Sequence, residues 1–190
     1  MLILEYKVRP TAQQRRTIDE AIRTVQFIRN KCLRLWMDTR GTGYFALQNY
    51  SAELAREYAF VARLGSQARQ TSADRAWLAI ARFYKNCREK KPGKKGYPCF
   101  QRDNRSVEYK VTSGWKLEPD GKHLTFTDGQ GIGTLKLVGT RSTRDLSAQA
   151  DQASAPAQTG GWHLKSSLPS KLTAKLNMSP LAGKWALMSG

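Results

Sequence analysis

The stretch Lys90-Lys91-Pro92-Gly93-Lys94-Lys95-Gly96-Tyr97-Pro98 divides this chain into two halves that follow different apolar periods. Its prolines remove backbone donors and its glycines make irregular dihedrals cheap, so neither a helix nor a central strand can run through it. Before it, apolar residues recur at three- and four-residue steps. Beyond it they alternate, which is the period of a strand. One strand, then helices, then several strands predicts an α+β fold.

Residues 2–8 place Leu2, Leu4, Tyr6 and Val8 on one side of a first strand, which Pro10 breaks. Thr11 is a suitable N-cap for a long helix running to about Met37, with Ile18, Ile22, Val25, Ile28, Cys32 and Trp36 on one face. Arg15, Arg16, Arg23, Arg29, Lys31 and Arg34 fall largely off that stripe. Gly41, Thr42 and Gly43 end it, and Ser51 is expected to cap a second helix through Leu54, Tyr58 and Val61. After a turn at Gly65, a third helix over residues 67–88 carries Ala73, Trp77, Ile80, Tyr84 and Cys87 on one side. Short strands are predicted at 107–111, 115–117, 123–127 and 133–138, with Asp120-Gly121 and Asp128-Gly129 as hairpin signals. They should join the first strand in a small barrel or sheet. Residues 141–190, rich at first in Ser, Ala, Gln and Gly, are read as a disordered tail.

The balance of 32 Lys and Arg against 15 Asp and Glu leaves a formal net charge of +17. Such a surface attracts a polyanion, so nucleic acid is the leading partner. No apolar run is long enough to span a membrane and no signal peptide is evident, so a cytoplasmic location and no membrane partner are expected. Cys32, Cys87 and Cys99 are far apart and form no C-x-x-C pair, which predicts neither a disulfide framework nor a zinc ribbon. His123 and His163 lack a cysteine neighbour or an evident carboxylate partner, and no cofactor or metal is expected. Gly129, Gly131 and Gly133 read as a hairpin, because no Lys-Ser or Lys-Thr helix follows them.

The loop at residues 90–95, beside Tyr97 and Phe100, has ammonium groups for phosphates and aromatic faces for bases. The structural alternative is that the two rings are core and the lysines merely solvated. Trp36, Trp77 and Tyr84, at helical spacing, read as packing between helices.

Three stretches together resemble TnpB proteins, the OrfB family of transposon proteins. They are Tyr6-Lys7-Val8-Arg9-Pro10-Thr11 leading to Phe27-Ile28-Arg29-Asn30, then Ala79-Ile80-Ala81-Arg82-Phe83-Tyr84-Lys85-Asn86-Cys87, then Gly96-Tyr97-Pro98-Cys99-Phe100. The resemblance covers roughly residues 1–139. It implies a helical recognition lobe (11–90) inserted into a wedge-like β-barrel (1–10 and 91–140) that binds a transposon-encoded guide RNA and target DNA. The implied phosphate contacts are Arg9, Arg29, Arg82, Lys85, Lys90, Lys91, Lys94 and Lys95, with Tyr97 as a stacker. The RuvC-like nuclease and zinc ribbon that follow in that family do not appear here.

The tail gives a reason. In the frame built from the third base of each codon and the first two of the next, synonymous choices let residues 178–190 spell Glu-Pro-Thr-Gly-Arg-Gln-Val-Gly-Ile-Asp-Val-Gly, which resembles the family's first nuclease motif. Residues 153–161 permit a second match in the same frame. A frameshift near Arg141 is inferred, leaving a product with no catalytic residues, since Asp145 and Asp151 sit in the wrong context. The competing expectations are a stand-alone helix-turn-helix DNA-binding regulator and a non-functional product of a decayed insertion-sequence gene.

Overall fold

A helix needs partners for its first orphan N–H groups, and the sequence supplies them at Thr11 and Gln14. The computed structural model describes residues 7–104, 106–109, 113–138, 172–177 and 188–189. In it, the Gln14 N–H donates to Thr11 Oγ1 at 3.2 Å while the Thr11 N–H donates to Gln14 Oε1 at 3.0 Å, a reciprocal capping box. Helix α1 then runs Ala12–Asp38, burying Ile18, Ile22, Val25, Ile28 and Cys32 as their spacing predicts. Gln14 Nε2 also donates to the carbonyls of Ile132 and Thr134 at 3.2 and 2.9 Å, so the residue that starts the helix also fixes it to the later strands.

The second helix begins earlier than expected. Helix α2 spans Tyr44–Glu57 with Gly43 at its N-cap, and Ser51 lies buried inside it, donating back to the Gln48 carbonyl at 2.7 Å. Ser51 satisfies its hydroxyl within the helix, so the capping role assigned to it is corrected. Tyr58 interrupts the helix, a short α3 follows at Ala59–Arg63, and Gly65 leads into α4 at Ser66–Arg88. The buried face of α4 is made of small residues, Ala68, Ser72, Ala73 and Ala76, before Ile80. Small side chains let α4 approach α1 closely, and Ser72 Oγ donates to the Val25 carbonyl at 2.5 Å.

The helices lie in sequence between two strands that pair. Strand β1 (Lys7–Val8) runs antiparallel to β5 (Thr134–Val138), with Lys7 opposite Val138 and Val8 opposite Leu137. With β3 (Trp115–Leu117) and β4 (His123–Phe126) they form a four-stranded sheet in the order β1-β5-β4-β3. Val8, Leu124, Phe126, Leu135 and Leu137 are buried, as alternation predicts. The expected strand positions 2–6, 110 and 111 lie outside the described residues.

The barrel expectation is corrected by the remaining strand, β2 (Ser106–Tyr109). It pairs not with the four-stranded sheet but with β6 (Leu172–Asn177), which pairs with β7 (Met188–Ser189). Among the described residues the strands therefore make two open antiparallel sheets, not a closed barrel. Strands β6 and β7 lie within residues 141–190, where Leu172, Ala174 and Leu176 keep the period of two that a strand needs. The rest of residues 141–190 lies outside the described residues.

Tyr109 joins the helices to both sheets. Its hydroxyl donates to Asp128 Oδ2 at 2.9 Å, and the Gly65 N–H donates to the same oxygen at 3.2 Å. Its ring meets Phe126 edge to face at 5.1 Å. Gly114, at φ +85°, passes so near that a Cβ there would lie 3.1 Å from the Tyr109 ring. Burial, with Asp128 adding to it, pushes the Tyr109 phenol far up, and burial also raises Asp128 despite the hydrogen bonds it accepts.

Candidate nucleic-acid interface

The basic loop is held at both ends. At the end of α4 the Lys90 N–H donates to the Cys87 carbonyl at 3.1 Å and the Lys91 N–H to the Asn86 carbonyl at 3.2 Å, the paired bonds of a Schellman motif. The left-handed position of that motif ordinarily takes glycine, yet here it is Lys90, at φ +47°. Asn86 Nδ2 then donates to the Lys95 carbonyl at 3.0 Å, closing the loop back onto the helix. Lys95 Nζ donates to the Lys91 carbonyl. Lys90, Lys91 and Lys94 are exposed and Lys95 half-buried. One carboxylate enters the group, with Glu89 lying 3.7 Å from both Lys85 and Lys91.

Beside the loop, the far end of α1 and the last turns of α4 build an aromatic cluster. Trp36 Nε1 donates to the Tyr84 hydroxyl at 2.8 Å, and Phe83 lies edge to face with Trp36 at 6.3 Å and with Tyr97 at 5.2 Å. Trp36 thus packs between helices, as its spacing suggests, and Tyr97 caps the cluster from outside with 56 % of its surface exposed. Tyr84 and Phe100 are 48 % and 46 % exposed. The alternative that Tyr97 and Phe100 are core does not hold. Both rings keep about half of their surface exposed.

After Pro98 the chain lies along α1 and is fastened by side chains of that helix. Asn30 Nδ2 donates to the Gln101 carbonyl at 2.8 Å and Asn30 Oδ1 accepts from the Gln101 N–H at 2.9 Å. Gln26 does the same for the Arg102 carbonyl and the Asn104 N–H, at 3.2 and 3.1 Å. Arg29 belongs to this zipper: its guanidinium donates to the Cys99 carbonyl at 3.3 Å, and burial, then nearby Arg75, hold it below the usual arginine range. It is a support of the segment more than an open phosphate contact.

The other expected contacts scatter. Arg82 is exposed on α4, and Lys85 follows it by three residues on the same helix. Arg9 is exposed just before α1, whereas the aromatic cluster gathers near the far end of that helix, so roughly 35–40 Å of helix separates them. Lys85, Lys90, Lys91, Lys94, Lys95 and Tyr97 come together, Arg82 borders them, and Arg9 and Arg29 do not join. Sequence reasoning missed Phe83, Asn86 and Glu89. Phe83 and Asn86 lay inside the α4 stretch and read as ordinary helix, and Glu89 just past its end, because a loop clamp declares itself only when both ends of the loop are placed.

His123 does have a carboxylate partner, contrary to expectation, with Asp120 Oδ2 2.5 Å from Nδ1. Asp120 Oδ1 also accepts from the Lys122 and His123 N–H groups, so the pair is part of the turn before β4. His163 lies outside the described residues. Cys32 is buried, which pushes its thiol up to about 12, while Cys87 and Cys99 are exposed and unbridged. Among the described residues no group of three His, Cys, Asp or Glu side chains could hold a metal, and no helix is long and apolar enough to cross a membrane. The sequence matches no family model and no curated protein.

Proposed function

We propose that this chain is the nucleic-acid-binding, amino-terminal part of a TnpB-like, transposon-encoded RNA-guided DNA endonuclease, and that it lacks nuclease activity of its own. Its partners on this reading are DNA and a transposon-encoded guide RNA. The observation that carries it is the loop at residues 90–95, whose lysines are held by a Schellman motif and the Asn86 clamp beside the exposed rings of Tyr84 and Tyr97. A lysine in a left-handed position that glycine would fill at lower cost is the kind of local strain that gathers at functional sites. The insertion of four helices between the paired strands β1 and β5 supports the family part of the reading. The catalytic aspartate belongs, on this proposal, to a reading frame the product does not use.

Replacing Lys90, Lys91, Lys94 and Lys95 together by Ala should weaken binding of the full chain to unrelated single strands alike. The slope of log affinity against log salt should become shallower by about 3, at ~0.7 per phosphate contact on single strands. An unchanged slope removes the loop from the interface. Reading the gene in all three frames from codon 130 tests the family part. A continuing frame with an Asp-containing nuclease motif and a paired C-x-x-C ribbon supports it, and the lack of one favours a small basic regulator.

A further inference from the structure

A second surface, on the other side of the 99–104 segment from the core, carries the same chemistry without a single lysine-rich motif. Arg23, Phe27, Lys31 and Arg34 recur at three- and four-residue steps on the face of α1 opposite its buried stripe. They form the floor of a hollow of about 660 Å³ whose wall includes Phe100 and Arg102. Arg23 and Phe27 also line an adjoining hollow of about 340 Å³, reached by Phe60, Arg63 and Gln130. The two hollows share those floor residues and so make one groove, bounded by the zippered 99–104 segment on one side and by α3 on the other. From Glu20 to Arg34 it follows α1 for roughly 20 Å.

The groove is cationic by composition. Arg23, Lys31, Arg34, Arg63 and Arg102 line it against one lining carboxylate, Glu20, with Asp38 pairing Arg34 at 2.7 Å from outside. It is also aromatic at its edges, where Phe60 and Phe100 are 42 % and 46 % exposed. Phe27 is braced from below, its ring meeting Tyr58 and Phe60 edge to face at 5.1 and 5.2 Å. Lys31 Nζ stands 5.6 Å from the ring centres of both Phe27 and Tyr58, which fixes a cation over the floor.

We infer that this groove takes a single-stranded nucleic acid, with phosphates on Arg23, Lys31, Arg34, Arg63 and Arg102 and unpaired bases against Phe60 and Phe100. A duplex hides its base faces inside the stack, leaving the rings without a partner. At ~3.4 Å per stacked nucleotide the groove holds roughly six. The inference rests on the nucleic-acid reading above for its class of ligand, and adds a second site, apart from the loop, that distinguishes single strands from duplex.

The test is fluorescence anisotropy of the full chain with labelled dT12 and with a 12-base-pair duplex, for the wild type, the loop variant and the groove variant Arg23→Gln/Lys31→Gln/Arg34→Gln. The groove variant should bind dT12 at least tenfold more weakly, with a salt slope shallower by about 2, and bind the duplex within threefold of the wild type. Phe100→Ala, at an exposed ring, should cost roughly tenfold for dT12 and nothing for the duplex, keeping the test valid if the triple variant melts early. Wild-type affinity for dT12 in both variants, or an equal loss on duplex, overturns the groove. If only the loop variant weakens binding, the groove fails and the nucleic-acid reading stands. If the wild type binds neither probe, both fail.

Discussion

The loop at residues 90–95 and the groove along α1 offer the same two components, cations and aromatic rings, but hold them by different means. The loop is a short excursion pinned at its neck by Asn86 and the Schellman bonds, with Lys90, Lys91 and Lys94 extended into solvent. Such cations meet phosphate wherever it lies and carry little preference for the form of the strand. The groove instead spreads its cations over α1, α3 and the 99–104 segment, with the walls fixed by Asn30 and Gln26. Fixed walls select a shape. The comparison therefore separates attraction, which the loop supplies, from selection, which the groove supplies.

Asn30→Ala should break that division most strongly. It removes both hydrogen bonds to Gln101, and a longer one from Arg29 at 3.4 Å, while leaving every groove cation in place, at a cost of about 2 kcal/mol in chemical denaturation. With the wall released, preference for dT12 over duplex should shrink while the duplex salt slope stays at its wild-type value. An unchanged preference would mean that selection does not depend on the wall.

Lys90→Gly sharpens the comparison from the loop side and has a smaller effect of opposite sign. Glycine occupies a φ near +47° without the Cβ penalty, so stability should rise by about 1 kcal/mol, while the salt slope becomes shallower by about 0.7. A loss of stability on that change would show that the Lys90 side chain supports the fold rather than the ligand.

The smallest effect is at Asp128, which lines neither surface, although its Oδ1 accepts from the Gln130 N–H at 3.3 Å behind the groove wall. Asp128 is raised by burial, so between the ordinary carboxylate range and its native value the folded chain holds a proton that the unfolded chain has lost. Stability from this group is therefore greatest below that window and falls as pH rises through it. Asp128→Asn should flatten that fall in thermal melts, leaving single-strand affinity unchanged. Parallel melting curves for the two proteins would place the titration elsewhere.

What could be read from the sequence follows how local each feature is. The N-cap at Thr11, the apolar stripe of α1 and the hairpin strands after residue 113 are set by neighbours in the chain, and the structure carries them. Ser51 misled because a serine before an apolar run looks like a cap, while its hydroxyl bonds the Gln48 carbonyl from inside the helix. The barrel expectation failed on a non-local fact, the pairing of β2 with Leu172–Asn177. The lysines of the loop were visible as a cluster. The groove was not, since Arg23, Arg63 and Arg102 become neighbours only when three elements pack, and along the chain each reads as one more solvated charge.

The most direct test of the account is the salt dependence of dT12 binding by the intact chain. The four loop lysines and five groove cations together predict a slope of log affinity against log salt of about −6, at ~0.7 per contact. No saturable binding, or a slope shallower than about −1, would contradict the claim that either surface meets nucleic acid.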